Sequence, residues 1–233
     1  WRQIGDTLYG QPGDRFGSSV AISDDGSVIA VSALYGDSGS TNNNVGYVSI
    51  FRQDILMGVE NSTPPSGYVY SFSEKIFGQV ANELSGFAID LSGDGNRLAV
   101  SAPYGGQNSN GDVTGSVRIY DFAESSWSWS QGGHFVGHAD GDQFGWSLDL
   151  SNDGRTLAVG AHYNDSYGID AGLVDVYREV GSNTWYQIGA SLSNWESGSR
   201  FGNSVSLTAD GNRLAVGALY SNSQQGSVHV YDF

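Results

Sequence analysis

Apolar runs broken by Asp-Gly recur along the chain in one fixed order. Phe16-Gly17 opens a segment that ends at Asp24-Asp25-Gly26, and Ile29-Ala30-Val31-Ser32-Ala33 follows. The order returns from Phe144-Gly145 through Asp153-Gly154 to Leu157–Ala161, and from Phe201-Gly202 through Asp210-Gly211 to Leu214–Ala218. A further copy opens on Ser85-Gly86 and continues through Asp94-Gly95 to Leu98–Ala102. Asp-Gly between two β runs predicts a tight hairpin, because both residues accept positive φ. The run after it has almost no polar interruption and predicts a strand buried on both faces. Its small side chains suit the crowded region near a central axis.

Each copy then carries a Gly-x-Val pattern, at Gly46–Phe51, Gly115–Tyr120, Gly172–Tyr177 and Gly226–Tyr231, which predicts an alternating strand farther out. An aromatic segment completes the set at Trp1–Gly5, Tyr70–Phe77, Trp129–Val136 and Trp185–Gly189. It is predicted outermost, with its ring over the edge of the adjacent sheet. The first repeat is longer by a polar, proline-containing insertion around Asp54–Gly67.

Four such repeats predict an all-β fold, a β-propeller with four blades of four antiparallel strands. The 233 residues then form a single domain, with blades over 9–77, 78–136, 137–193 and 194–233 plus 1–8. The chain starts on an outermost strand and ends on a third, so Trp1–Leu8 is expected to complete the last blade and clasp the ring. Four repeats cut from a longer wheel, or an open β array, are the competing arrangements. A start at Trp1 rather than Met marks a processed product or an excised segment.

The Phe-Gly pairs, the Gly/Ser-Ala strand ends and the Gly-x-Val strands together resemble the FG-GAP family, the blades of the integrin α-subunit head. That resemblance spans nearly the whole chain and implies a propeller used for recognition or adhesion rather than chemistry. It also implies Ca²⁺ in Asp/Asn-rich first hairpins with a further Asp three residues after the Gly. Here Ile29, Leu98, Leu157 and Leu214 hold that position. Calcium needs six to eight oxygens, so these hairpins are expected to bind none. No cofactor or metal is expected.

Charge narrows the partners. Twenty-five acids against 10 bases give a formal charge of −15, which repels nucleic acid and anionic membranes. No apolar run approaches the length of a bilayer, so no membrane insertion is expected. Cysteine is absent, leaving the core to hold the fold without disulfides.

The segments after each second strand vary most and should gather on one face. Tyr35, Tyr104, Tyr163 and Tyr220 open them and are the candidate ligand contacts, by stacking on a sugar or holding a cation, or else plug the grooves between blades. Asp37, Asp112 and Asp165 lie in the same loops and could bind a cation or basic partner, or close Asx-turns. Asp170 shares that setting. Asn61 and Asn164 head the glycosylation sequons. Of the histidines, His134 and His138 are read as loop residues beside Gly132-Gly133, and His162 takes a slot held elsewhere by Leu or Pro.

No nucleophile elbow, Cys–His pair or phosphate-cradling loop is present, so the chain reads as no enzyme. It is expected to be a non-catalytic extracellular or cell-surface module binding a protein or glycan partner through one loop face. Assembly with copies of itself or other subunits accompanies that reading. Two alternatives stand beside it. One is a structural subunit of an extracellular filament or coat. The other is a propeller-type hydrolase, glycosidase or phosphoesterase, which requires acids with raised pKa projecting into the central channel.

Overall fold

A computed structural model describes residues 1–39, 43–55 and 68–233. Blade 1 holds β1 (Phe16–Ile22), β2 (Val28–Ala33), β3 (Tyr47–Ile55) and β4 (Tyr68–Phe77). Blade 2 holds β5 (Ile89–Leu91), β6 (Arg97–Ala102), β7 (Ser116–Ala123) and β8 (Ser128–Val136). Blade 3 holds β9 (Ser147–Leu150), β10 (Thr156–Ala161), β11 (Leu173–Glu179) and β12 (Trp185–Gln187). Blade 4 holds β13 (Phe201–Leu207), β14 (Arg213–Ala218) and β15 (Ser227–Asp232). Every sheet is an antiparallel meander in chain order, three of four strands and the last of three. This is the predicted all-β, four-bladed propeller arrangement.

The core lies between blades. Val28, Ala30, Val48 and Ile50 of blade 1 meet Ile89, Leu91, Leu98 and Val100 of blade 2 in one cluster. Two further clusters join blade 2 to blade 3 and blade 3 to blade 4 in the same way. The predicted second strands of blades 1 to 3 are buried almost throughout, β10 at all six positions, whereas β14 alternates beside the free face of blade 4.

The repeat motifs bind one another across these junctions. Phe144 donates its N–H to the Thr114 carbonyl at 3.0 Å, and Phe201 to Ala171 at 2.9 Å. Gly115 and Gly172 sit opposite those phenylalanines as parallel bridges. A Cβ on Gly172 would lie 2.1 Å from the Phe201 carbonyl oxygen, and φ there is +80°. Only glycine admits both the approach and the backbone.

Two expectations fail. The N-terminal clasp is absent: Trp1–Leu8 forms no strand, Trp1 is fully exposed, and the last blade keeps three strands. Outermost pairing shortens toward the last blades, from nine residue pairs in β4 to three in β12. Its Trp185 is retained by Phe135 at 5.6 Å and by the Arg97 guanidinium at 5.4 Å, partners that Trp1 lacks. The third strands also do not alternate inside the molecule: β7 is buried over Ser116–Tyr120 because blades cover both its faces. Alternation survives in β15, where one face has no neighbour.

Candidate functional site

One repeat position on the innermost strands is occupied by Ala21, Asp90, Asp149 and Ser206. Ile89 and Leu91 enter the core toward blade 1, so the strand period of two sends Asp90 toward blade 3. There its Oδ2 accepts the Leu150 N–H at 2.8 Å, while Oδ1 accepts its own neighbour Leu91 N–H at 2.9 Å. Asp149 repeats the device one blade on: Oδ2 accepts the Leu207 N–H, and Oδ1 accepts the Leu150 N–H at 3.1 Å. The free edge of an innermost strand leaves amides without ladder partners, and these carboxyls supply the acceptors.

The two side chains are half-buried and within hydrogen-bonding reach of each other. Burial, then the Asp149 carboxyl, push Asp90 up to about 7. Two carboxylates this close cannot both ionise readily. Asp90 is therefore protonated well above the usual carboxylate range, up to about 7. Ile-Asp-Leu and Leu-Asp-Leu at one repeat position were the sequence signal for this pair, a charge set into an otherwise apolar strand.

Each loop-face tyrosine packs on a neighbouring side chain. Arg200 lies over Tyr163 at 4.6 Å and Tyr220 at 4.9 Å. Tyr35 is under Arg15 at 4.3 Å, and Tyr104 meets Phe87 edge-on at 6.5 Å. Asp37 Oδ1 accepts the Asn43 and Asn44 amides at 2.7 and 2.8 Å. Asp112 accepts from Asn108 Nδ2 at 3.0 Å, and Asp165 from the Asp170 N–H at 2.8 Å. These carboxylates shape their own loops.

Asn164 cannot carry a glycan in this fold. It is fully buried, donating to Asp142 Oδ2 at 2.8 Å and accepting the Ser166 N–H at 2.9 Å. Asn61 lies outside the described residues. In the hairpins, Asp25, Asp94, Asp153 and Asp210 each accept the amide two residues on and a Ser or Thr hydroxyl two residues before. Leu98, Leu157 and Leu214 are buried in the core.

Two buried polar contacts escaped the sequence reading. Arg118 donates to both Glu83 oxygens at 3.0 and 3.1 Å, with both side chains buried. His138 Nε2 pairs at 2.8 Å with the buried Asp175, which also accepts from Gln187 and Ser191; the Asp175 contact raises the His138 pKa. Gly132-Gly133 is a bulge inside β8, not a loop, and carries His134 within the strand. His162 is buried between Trp146 and Tyr163, at 4.2 and 4.1 Å, and burial lowers its pKa to about 4.

Comparison with known proteins bears on the fold. A family model described as FG-GAP repeat matches residues 10–51 and 136–177, within blades 1 and 3. No curated protein matches the chain. A candidate 6-phosphogluconolactonase from Bacteroides uniformis is similar in structure, with a TM-score of 0.56 at 14% identity. The match covers 99% of this chain and 55% of that one. Sqt1 of Saccharomyces cerevisiae gives 0.54 at 12% identity, covering 96% and 50%. The chain thus spans about half the length of these structures, and the likeness is one of fold.

The expected non-catalytic recognition module gives way here, and with it the expectation of no enzyme. The fold is shared over nearly the whole chain with a candidate lactonase. The inner strands also carry an acid of raised pKa, Asp90, set against blade 3.

Proposed function

We propose that the chain is a propeller-type hydrolase whose working groups are Asp90 and Asp149, acting on an ester or lactone. The observation that carries this reading is two half-buried carboxyls of neighbouring innermost strands that accept the same Leu150 amide, with Asp90 raised to about 7. Such a pair offers a base and an acid at once. Asp149 takes a proton from water as the water oxygen bonds to the carbonyl carbon, and Asp90 gives its proton to the carbonyl oxygen. On collapse the C–O bond to the leaving group breaks, Asp149 returns its proton to the departing alkoxide, and Asp90 regains one from the intermediate's hydroxyl. The products are an acid and an alcohol. We infer further that all four blades are FG-GAP-type repeats, supported by the matches in blades 1 and 3 and the equivalent residues in blades 2 and 4.

A panel of chromogenic esters and aldonolactones tests it. Turnover is expected to fall about a hundredfold or more in both Asp90→Asn and Asp149→Asn with the fold intact. A second reading, in which the pair only ties blades together, is favoured by its bonds to the Leu150 and Leu207 amides. It expects no turnover by the parent chain on any member of the panel.

A further inference from the structure

Blades 1 and 4 each leave one face in solvent, and those faces are the two halves of a junction the molecule builds internally. Inside, Val174 and Val176 of blade 3 share a cluster with Val205 and Leu207 of blade 4. Their repeat equivalents on the free faces are Val228 and Val230 on blade 4, and Val20 and Ile22 on blade 1. All are exposed, at 71, 63, 65 and 60% respectively.

A polar half accompanies the apolar one. At each internal junction an arginine donates to the glycine carbonyl of the next blade's Asp-Gly turn. Arg52 reaches Gly95 at 3.1 Å, Arg97 reaches Gly154 at 3.0 Å and Arg178 reaches Gly211 at 3.1 Å. Blade 4 repeats the blade 2 version. Arg213 grips Asp232 through Nε and Nη2 at 2.8 and 3.0 Å, as Arg97 grips Asp121 through Nε. Its Nη1, the atom with which Arg97 reaches across, meets no acceptor among the described residues.

A backbone series runs the same way. Asp24 N–H bonds the Gly93 carbonyl, Gly93 N–H the Asn152 carbonyl, and Asn152 N–H the Ala209 carbonyl, at 2.9, 2.8 and 2.9 Å. The Ala209 N–H and the Asp24 carbonyl terminate it.

We propose that the free face of blade 4 docks on the free face of blade 1 of a second copy, head to tail, so that two chains close one wheel. Val228 and Val230 then cover Val20 and Ile22, and Arg213 Nη1 donates to the Gly26 carbonyl of the other copy. A second copy is the occupant because the two free faces are the repeat equivalents of the two sides of an internal junction, so one chain offers both halves of the same contact. The two contacts are then related by a two-fold axis. This rests on the blade faces and is independent of the role given to Asp90 and Asp149.

Light scattering on a sizing column tests it. The chain is expected to run at twice its 24.7 kDa. Val230→Asp and Ile22→Asp, both at exposed positions and checked for fold by circular dichroism, are each expected to run at single mass. Mixing the two variants restores one of the two contacts, since each keeps the face the other has lost, and is expected to recover part of the double mass where neither variant alone does. Arg213→Ala weakens the pair about tenfold. A single mass for the parent chain at about 100 µM, far above the Kd of a stable pair, overturns the proposal. So does Ile22→Asp that still pairs, which marks a symmetric contact through one face, and so does a ladder of larger species, which marks an unclosed array.

Discussion

Asp90 and Asp149 converge on a single backbone amide, that of Leu150, at 2.8 and 3.1 Å. Burial, and the nearby Asp149 carboxyl after it, penalise the ionised form of Asp90. Folding therefore raises the Asp90 pKa from 3.8 to about 7. The folded chain binds more protons than the unfolded one across that window, so stability is fully present near pH 4 and declines as pH rises through about 7. Asn at this position imitates the protonated acid, with its amide donating to Asp149. Asp90→Asn is expected to flatten the decline and to melt a few degrees above the parent chain at pH 8. Thermal melts at pH 5 and pH 8 check it; an equal loss at both pH values would contradict the proton-sharing arrangement.

The same protonation logic constrains turnover. The pair works with one proton, so ester or lactone hydrolysis is expected to fall as pH rises through about 7, where Asp90 ionises. The falling limb of a kcat/KM profile reads this directly. A profile still rising at pH 9 would place the chemistry on another group.

His162 titrates with the opposite sense. Burial lowers it from 6.5 to about 4, so the folded chain holds it neutral while the unfolded chain takes a proton. Its contribution is present above pH 6.5 and is lost as pH falls toward 4, by at most about 3 kcal/mol for a buried ring. Leu34 and Leu219 occupy the same repeat position. His162→Leu is expected to remove that acid limb and also the unsatisfied Nδ1. Chemical denaturation between pH 4 and pH 7 measures both.

Glu83 and Arg118 join the loop entering blade 2 to β7 by two hydrogen bonds in the interior. Glu83→Ala leaves a buried guanidinium without its counter-charge and is expected to cost about 3 to 5 kcal/mol. Removing both charges, with Glu83→Gln and Arg118→Met together, is expected to cost less than the single change. A double-mutant cycle by denaturant melting resolves the two.

The repeat, its strand order and the buried second strands were legible because apolar runs and Asp-Gly turns are local signals. Tyr70–Phe77 and Trp129–Val136 fall within β4 and β8. What stayed hidden depends on neighbours in space. Phe144 and Gly115 were both named as motifs, yet nothing in either says that they bond across a junction. Asp90 and Asp149 went unread as charges set in apolar strands, and their closeness arises only when two blades meet. The clasp failed for a related reason: Trp1 matches Trp185 in sequence, but Phe135 and Arg97, which hold Trp185, have no counterpart at Trp1.

The glycine of the Gly-x-Val motif separates internal junctions from the free end. A Cβ on Gly172 would fall 2.1 Å from the Phe201 oxygen, whereas on Gly226 the nearest atom, the Leu219 oxygen, is 3.3 Å away. Both have positive φ, +80° and +76°, so backbone strain of about 1 to 2 kcal/mol is common to the two substitutions. Only the first must also push apart two blade backbones. Gly172→Ala is therefore expected to cost about 3 kcal/mol or more, and Gly226→Ala no more than the shared strain. Melting of the two variants beside the parent chain decides it. Equal losses would mean that conformation alone, and not the close approach of Phe201, keeps glycine at this position.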